Sequence, residues 1–344
     1  MPALRTEITE IVTGLGMFGY PNLGHAIGMR PPAFENVGSE VYDRLISAFH
    51  SGMHRDLFAT AWRNGVRFAA ANEGLRGRPP WIVEWKGGHR PPGYEEIPAD
   101  LRVDHVYLVS CKYGSNILTN SSPSGLFGGA ADEDWFATVA GDAYQDLYEE
   151  CRQLVPEPSL PRLATDLDTK HRAILKKTLP RNLVGNAKGA YREFATRAAE
   201  GSSLRWADGL RTKLQREQMM WRLLRLQSAP YFVLGESAGG HALAYRVQTP
   251  WDLRASHQFR SFRHWGETDR GQPIVSWKAI YINRRTGGEA SVAGHIEVRW
   301  SHGKFAQAPE AKVYLDTPHH AAPAYVPLEG QPGGELSLFD LSVS

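Results

Sequence analysis

The chain has 344 residues, of which 42% are hydrophobic, and its formal net charge at pH 7 is +2. This length suits two domains, or one domain with a large extension, and the composition excludes global disorder. The two cysteines, Cys111 and Cys151, are too few for a disulfide framework or a four-cysteine zinc site. Residues 1–20 lack the pattern of a signal peptide, and no window approaches about 18 apolar residues. We therefore expect a cytoplasmic protein that does not span a membrane.

The first predicted elements lie in the N-terminal third of the chain. Frequent glycine and proline predict an irregular arm over residues 1–38. Ser39 is a suitable helix cap, and the apolar spacing that follows predicts a helix from Glu40 towards Asn72, with Gly52 as a candidate break. Two strand regions and a polar loop are expected next, at residues 81–85, 101–113 and 116–129. Residues 39–130 are therefore expected to form an α/β core.

The rest of the chain is predicted to separate into a helical region and a β-rich region. The helical region covers residues 131–228, with helices at 135–154, 163–179, 186–200 and 204–227. The β-rich region covers residues 229–328, with strand-like runs at 231–234, 274–283, 295–300 and 312–315. Residues 329–344 are expected to form a loosely held tail.

An acid, an apolar strand and a polar-x-Lys triplet follow one another between Asp100 and Lys112. Because side chains alternate along a strand, Ser110 and Lys112 share one face, and an anionic group is expected to face Lys112. If Asp104 and Ser110 belonged to one straight strand, they would lie about 20 Å apart, too far to share a metal ion. If the chain turns near residues 103–105, Asp100 comes back alongside Ser110. Asp100 is then the better metal ligand, and Asp104 is the weaker alternative.

Pro98-x-Asp100 and the triplet Ser110-Cys111-Lys112 resemble the motif of the PD-(D/E)xK nuclease superfamily. The resemblance implies a restriction-endonuclease-like fold and hydrolysis of phosphodiesters with Mg²⁺, for which Mn²⁺ can substitute. It also implies that Asp100 holds the metal. Lys112 would position or activate the attacking water, and a hard cation with oxygen ligands fits this chemistry.

Ser110 stands where this family usually has an acid, so the motif is a serine variant. A hydroxyl is a poorer Mg²⁺ ligand than a carboxylate, and the site therefore needs another acid. Glu84 is the favoured candidate, since its predicted strand can pair beside the hairpin. Glu84-Trp85-Lys86 is itself an acid-x-Lys triplet, and the sequence leaves open which triplet carries the chemistry.

Basic residues are concentrated in the predicted helical region. Between Lys170 and Arg225 there are fourteen Lys and Arg against four acids, in a chain whose net charge is only +2. Such a concentration suits a polyanion, because phosphate contacts drive non-specific nucleic-acid affinity. We therefore expect DNA as the partner, with RNA and a homodimer left open, and no membrane.

One motif favours a different enzyme. Ser237 lies in a G-x-S-x-G run after a predicted strand, which resembles the nucleophile elbow of α/β-hydrolase esterases. The elbow should open a helix, yet Pro250 breaks the chain soon after. Asp316 and His319 are in the right order for a triad, but they lie close together in the sequence. A glycine-rich β-turn is the preferred interpretation.

The sequence thus predicts an α/β restriction-endonuclease-like core, a basic helical segment and a β-rich C-terminal domain that recognises the substrate. The expected activity is that of a Mg²⁺-dependent DNA endonuclease of a restriction or defence type. The alternatives are a non-catalytic nucleic-acid-binding protein and a serine esterase that uses Ser237.

Overall fold

The structure is a computed structural model that describes residues 4–87, 99–128, 131–132, 134–269 and 271–329. The chain divides into two compact units, each assembled from separate segments. The first unit draws on residues 1–116, 226–256 and 319–344, and the second on residues 117–225 and 257–318. The units do not follow the predicted serial domains, because strands that are far apart in the sequence pair with each other.

The strands, in chain order, are β1 (Phe34–Glu35), β2 (Val83–Trp85), β3 (Leu101–Val103), β4 (Tyr107–Lys112), β5 (Ile117–Ser121), β6 (Tyr231–Glu236), β7 (Ala242–Val247), β8 (His257–Asp269), β9 (Gln272–Asn283), β10 (Glu289–Arg299), β11 (Glu310–Leu315) and β12 (Tyr325–Pro327). The predicted strands at 81–85, 231–234, 274–283, 295–300 and 312–315 are therefore present, with shifted ends.

The α-helices are α1 (Leu4–Glu7), α2 (Thr13–Leu15), α3 (Leu23–Met29), α4 (Ser39–His50), α5 (Arg55–Ala70), α6 (Pro123–Phe127), α7 (Trp135–Ala140), α8 (Asp142–Gln153), α9 (Thr169–Thr178), α10 (Gly185–Gly209), α11 (Lys213–Leu223) and α12 (Pro250–Ser256). A π-helical segment, Ile8–Val12, joins α1 to α2. Short 3₁₀ helices occur at Ala164–Asp166 and His319–Ala321. The helices expected over residues 131–228 are present, although α10 is one long helix.

The first unit is centred on a seven-stranded mixed sheet in the order β1-β2-β3-β4-β6-β7-β12. The strands β2, β3 and β4 pair antiparallel in succession, whereas β4 and β6 pair in parallel. Val83, Leu101 and Val109 are fully buried in the hydrophobic core on one face. Because side chains alternate, Ser110 and Lys112 belong to the other face.

The N-terminal helix (α1, the π segment and α2) packs into that core. The composition predicts an irregular arm here, and the structure corrects this prediction. Ile8, Ile11, Val12 and Leu15 are fully buried and recur at the i, i+3, i+4, i+7 spacing of an amphipathic helix. This apolar stripe has more influence on the local structure than the glycines and prolines that follow it.

The second unit contains a five-stranded antiparallel sheet in the order β5-β11-β10-β9-β8. The long helix α10 packs against β8 and β9, and α7 and α8 pack against α10. Trp135, Trp206 and Trp277 are almost completely buried in this unit. The predicted loop 116–129 is corrected in part, because it contains β5 and α6.

A search of the helices in the described part of the chain found none that is long and apolar enough to cross a membrane.

Candidate active site at the end of the β3–β4 hairpin

A tight turn brings Asp100 alongside Ser110. Asp104 and His105 both have positive φ, at 52° and 58°, and the Val106 N–H donates to the Val103 carbonyl at 3.0 Å. The strands leave this turn with Leu101 opposite Val109 and Val103 opposite Tyr107. The prediction that the chain turns near residues 103–105 is confirmed. Pro98, the first residue of the motif, lies outside the described residues.

Backbone and side-chain donors of β4 hold the Asp100 carboxylate. Its Oδ2 accepts hydrogen bonds from the Cys111 N–H at 2.6 Å and from the Ser110 hydroxyl at 3.3 Å. The Asp100 N–H donates to the Val109 carbonyl at 2.9 Å. The carboxylate is therefore oriented by the polar-x-Lys triplet itself, which explains how a serine can serve at position 110.

A second acid, Glu10, reaches the same place from the N-terminal helix. The Trp85 indole N–H donates to Glu10 Oε2 at 2.6 Å. Burial and the Asp100 carboxylate raise the pKa of Glu10 to about 8, and the Trp85 hydrogen bond and the Lys112 charge oppose this shift. Glu10 therefore lies within electrostatic range of Asp100 and Lys112, and these three residues with Ser110 are the candidate cluster.

Glu10 is the candidate site residue that sequence reasoning misses, because its segment is predicted to be irregular. The apolar stripe around it is the signal that could have found the helix. Glu10 lies within the π-helical segment, and π-helical segments often mark functional sites. Even with that helix predicted, its position beside Asp100 depends on tertiary packing.

Close helix packing positions the segment that carries Glu10. A Cβ added at Gly65 of α5 would lie 2.0 Å from the Thr13 carbonyl oxygen, and one added at Gly16 would lie 2.5 Å from the Trp62 carbonyl oxygen. Only hydrogen can occupy these positions, so the two helices approach with their backbones nearly in contact. The two glycines thereby set the position of the N-terminal helix over the sheet.

The backbones of β4 and β6 lie very close to each other at Lys112. Gly235, its register partner on β6, has φ at +136°, and a Cβ there would lie 1.9 Å from the Lys112 carbonyl oxygen. Only glycine suits both the backbone conformation and the space. This contact positions the backbone of the lysine at the end of the strand.

The charge of Lys112 also affects the pKa of a buried histidine, His319. His319 is only 7% exposed and stacks on Tyr245 with ring centroids 5.8 Å apart. Burial, and then the Lys112 charge, lower the pKa of His319 to about 4. The imidazole is therefore neutral at neutral pH and adds no positive charge to the cluster.

The neighbouring thiol is also held neutral. Burial, and then the Asp100 and Glu10 carboxylates, raise the pKa of Cys111 above its usual value. A neutral, buried thiol is a poor nucleophile. Cys111 therefore contributes its backbone N–H to the site, and not a thiolate.

Glu84, the acid favoured by the sequence, forms an ion pair with Arg102. Both of its carboxylate oxygens accept hydrogen bonds from Arg102, at 2.5 and 2.6 Å, and the His105 ring lies 3.1 Å away. Arg102 lies directly opposite Glu84 in the β2–β3 register. Glu84 is therefore held in a largely buried ion pair with Arg102, and its role as a metal ligand stays a prediction.

Asp104 lies at the turn, at the far end of the hairpin from the Asp100 carboxylate. It accepts hydrogen bonds from the Trp81 and Ile82 N–H groups at 2.7 and 3.3 Å, and it forms an ion pair with Arg78 at 2.6 Å. The structure therefore does not bring Asp104 together with Asp100. Its contacts hold the segment that precedes β2 against the turn.

The G-x-S-x-G run forms a turn between two strands. Ser237 follows β6, and β7 begins at Ala242 without an intervening helix. The Ser237 hydroxyl accepts a hydrogen bond from the His241 N–H at 3.1 Å, and the Ser237 N–H donates to the His241 carbonyl at 2.9 Å. The interpretation as a β-turn is confirmed, and the strand-to-helix elbow of an esterase is not formed.

Comparisons with protein-family models, with curated proteins and with solved structures found no match. Within the described ranges, no group of three or more His, Cys, Asp and Glu side chains is arranged to hold a metal ion. The cluster at the end of the hairpin instead combines two carboxylates with a lysine and a serine.

Proposed function

We propose that the first unit is a nuclease that hydrolyses DNA phosphodiester bonds with Mg²⁺, using Glu10, Asp100, Ser110 and Lys112. One observation carries the proposal: Ser110 and Cys111 hold the Asp100 carboxylate at the end of the β3–β4 hairpin, where the charges of Asp100 and Lys112 both act on the pKa of Glu10. The restriction-endonuclease-like core and a restriction or defence role follow from the motif resemblance, and they belong to the proposal.

The donor set suits Mg²⁺. This ion is usually bound through one or two carboxylates, while water and substrate phosphates complete its coordination. Glu10 and Asp100 supply two carboxylates. Burial and then the Asp100 charge raise the pKa of Glu10, and a cation bound there would favour its ionised form. Glu10 and Asp100 would hold the metal. When bound, Mg²⁺ supplies charge neutralisation at the scissile phosphate and activation of a water.

The chain's own residues have separate tasks in this mechanism. The Ser110 hydroxyl and the Cys111 N–H hold the Asp100 carboxylate in one orientation. The Lys112 ammonium stabilises the negative charge that develops on the phosphate oxygens, because a fixed charge in a site of low dielectric costs no reorganisation. Ser110 therefore acts as a positioning residue for Asp100.

The decisive experiment compares Lys112 of the serine-variant triplet with Lys86 of the acid-x-Lys triplet Glu84-Trp85-Lys86. Purified protein is incubated with supercoiled plasmid, single-stranded DNA and RNA, with Mg²⁺ or Mn²⁺. We expect Lys112→Ala to reduce the cleavage rate by at least about 100-fold and Lys86→Ala to retain it. Thermal unfolding verifies that both variants are folded. Cleavage that survives Lys112→Ala, or no cleavage of any substrate with either metal, would contradict the proposal.

A non-catalytic nucleic-acid-binding protein is the second candidate, and the charge distribution of the second unit favours it. The segments α9, α10 and α11 carry most of the fourteen Lys and Arg between Lys170 and Arg225. This function predicts DNA binding in EDTA that weakens steeply with salt, because each phosphate contact releases a counterion. Such binding in a protein that never cleaves would favour the second candidate.

A further inference from the structure

The second unit contains two adjoining concavities that the proposed nuclease mechanism does not use. Their volumes are about 500 and 590 Å³, within the range of small-molecule sites. The end of α9, the start of α10, the start of β9 and the segment after β10 form the walls. The five residues that line both concavities are Arg181, Asn182, Tyr191, Gln272 and Lys304.

The charge of this lining is of one sign. The first concavity is lined by four cationic side chains, and the second adds Lys188 and Arg192. Among the described residues that line either concavity, none is Asp or Glu. Arg299 forms an ion pair with Glu297 at 3.0 Å. This ion pair partly neutralises one of the four cations of the first concavity. The remaining cations there are Lys176, Arg181 and Lys304.

Two other lining residues, Arg181 and Tyr191, contact the Lys304 ammonium in the wall of the concavity. Its ammonium donates to the Arg181 carbonyl at 2.9 Å and lies 5.2 Å from the centroid of the Tyr191 ring. Burial lowers the pKa of Lys304, which shows that its charge is partly desolvated. A partly desolvated ammonium gains more from an anionic ligand than one that is fully hydrated.

The neutral lining residues are suited to a planar heterocycle. The Tyr191 hydroxyl donates to Gln272 Oε1 at 3.3 Å, which joins an aromatic ring to a side-chain amide. Asn182 provides a second amide, and Trp300 contributes an indole to the first concavity. Amides match the donor and acceptor edges of a nucleobase, and aromatic rings provide apolar contact.

We propose that the concavity around Tyr191 and Lys304 binds a nucleotide-sized phosphorylated ligand. The phosphate would lie against Lys176, Arg181 and Lys304, and the base would lie toward Tyr191 and Gln272. The same chemistry occurs in a free nucleotide and in the 5′-phosphorylated end of a strand. This proposal is independent of the nuclease, since it concerns residues of the second unit and needs no cleavage.

The first test is a binding titration by calorimetry in EDTA, which removes any metal from the first unit. The probes are AMP, GMP, CMP and UMP, and the affinity of each is compared with that of its nucleoside. We expect at least one nucleotide to bind about tenfold or more tightly than its nucleoside, because its phosphate meets several cations. If none of the four saturates at up to about 1 mM, the proposal is overturned.

Two neighbouring lysines on α9 provide a matched pair of variants. Lys176 lines the first concavity, whereas Lys177 is exposed on the same helix and lines neither. We expect Lys176→Glu to weaken binding about tenfold or more and Lys177→Glu to change it little. Arg181→Gln is a second test that leaves the backbone carbonyl for Lys304 in place. Equal affinities in Lys176→Glu, Lys177→Glu and the parent protein would overturn the proposal.

A second set of probes distinguishes a free nucleotide from the 5′-phosphorylated end of a strand. A trinucleotide with a 5′-phosphate is compared with the same trinucleotide without it and with the free nucleotide. Tighter binding of the phosphorylated trinucleotide identifies a strand end, and tighter binding of the free nucleotide identifies a small-molecule ligand. Binding that is insensitive to the phosphate on both kinds of probe would contradict the proposed contacts.

Discussion

The two units organise charge in opposite ways. In the first unit, the charges of Asp100 and Lys112 act on Glu10 in opposite directions, since the carboxylate raises the pKa of Glu10 and the ammonium lowers it. In the second unit, cations line a concavity that has no acid among its described lining residues. Compensated charges in a partly buried site suit bond-breaking chemistry, since they can bind a metal and stabilise a transition state.

Uncompensated cations in an open concavity suit a different purpose. They attract a phosphate and hold it, and they need no precise mutual geometry. The contrast predicts that changes in the first unit will act on catalytic rate, and that changes in the second unit will act on affinity. Variants in the two units test whether rate and affinity respond separately.

The largest effect is expected from the two acids proposed as metal ligands. Asp100→Asn and Glu10→Gln should each reduce Mg²⁺-dependent cleavage by at least about 100-fold, because removal even of an outer-shell partner of a metal site costs 10- to 100-fold. The readout is single-turnover plasmid cleavage across a Mg²⁺ titration. Excess EDTA should abolish cleavage by the parent protein.

The controls for this prediction are the two acids that the structure places in other contacts. Asp104→Asn and Glu84→Gln should keep the Mg²⁺ dependence of the parent protein, although both should lower stability. A Glu84→Gln variant that requires much more Mg²⁺ would show that Glu84, and not Glu10, completes the site.

The next effect concerns the backbone beneath Lys112. Gly235→Ala should destabilise the protein by about 3 kcal/mol or more, since the new methyl group would meet the Lys112 carbonyl at a φ that alanine avoids. Urea unfolding measures the change. Gly240→Ala is the matched control: its φ is +75° but nothing lies within 4 Å of its Cβ, so it should cost only about 1 kcal/mol.

The smallest effect is a pH dependence that Glu10 imposes on metal-free protein. Because its pKa in the folded state is raised to about 8, folding favours the protonated acid. The resulting stability is fully present below the usual pKa of a glutamate, and it is lost as the pH rises through 8. Between pH 5 and 8 the unfolding free energy should fall steadily, because only the folded state keeps the proton on Glu10 over that range.

Glu10→Gln provides the comparison for this pH effect. Glutamine keeps an acceptor for the Trp85 indole but does not titrate, so the difference in unfolding free energy between the variant and the parent should vary with pH. Mg²⁺ should reduce the difference at high pH by stabilising the carboxylate. An unfolding free energy with the same pH profile in both proteins would exclude Glu10 as a coupled acid.

Local rules predict much of the hairpin. Strand alternation and the length of the apolar run indicate that Asp100 can meet Ser110 only through a turn, and the positive φ values of Asp104 and His105 supply that turn. The strand 81–85 and the helices beyond residue 131 are likewise signalled by local spacing. Neighbouring residues decide these features, so they are visible in the sequence.

Other features depend on pairing between distant segments. Glu84 is a plausible ligand from the sequence, yet the β2–β3 register sets Arg102 opposite it, and the ion pair takes both of its oxygens. The domain boundaries differ for a similar reason, since β4 pairs with β6 across more than a hundred intervening residues. Register and strand order are not encoded in any local window.

The sequence by itself determined the hairpin, the polar-x-Lys triplet and the basic helices, because each arises from residues that are close together in the chain. Only the tertiary structure placed Glu10 within electrostatic range of Asp100. Glycines let the N-terminal helix pack closely on α5, and burial, followed by the Asp100 charge, raises the pKa of Glu10. Likewise, only folding gathered the cations around Lys304 into one concavity. Burial and proximity are properties of packing, and they therefore appear only when distant segments meet.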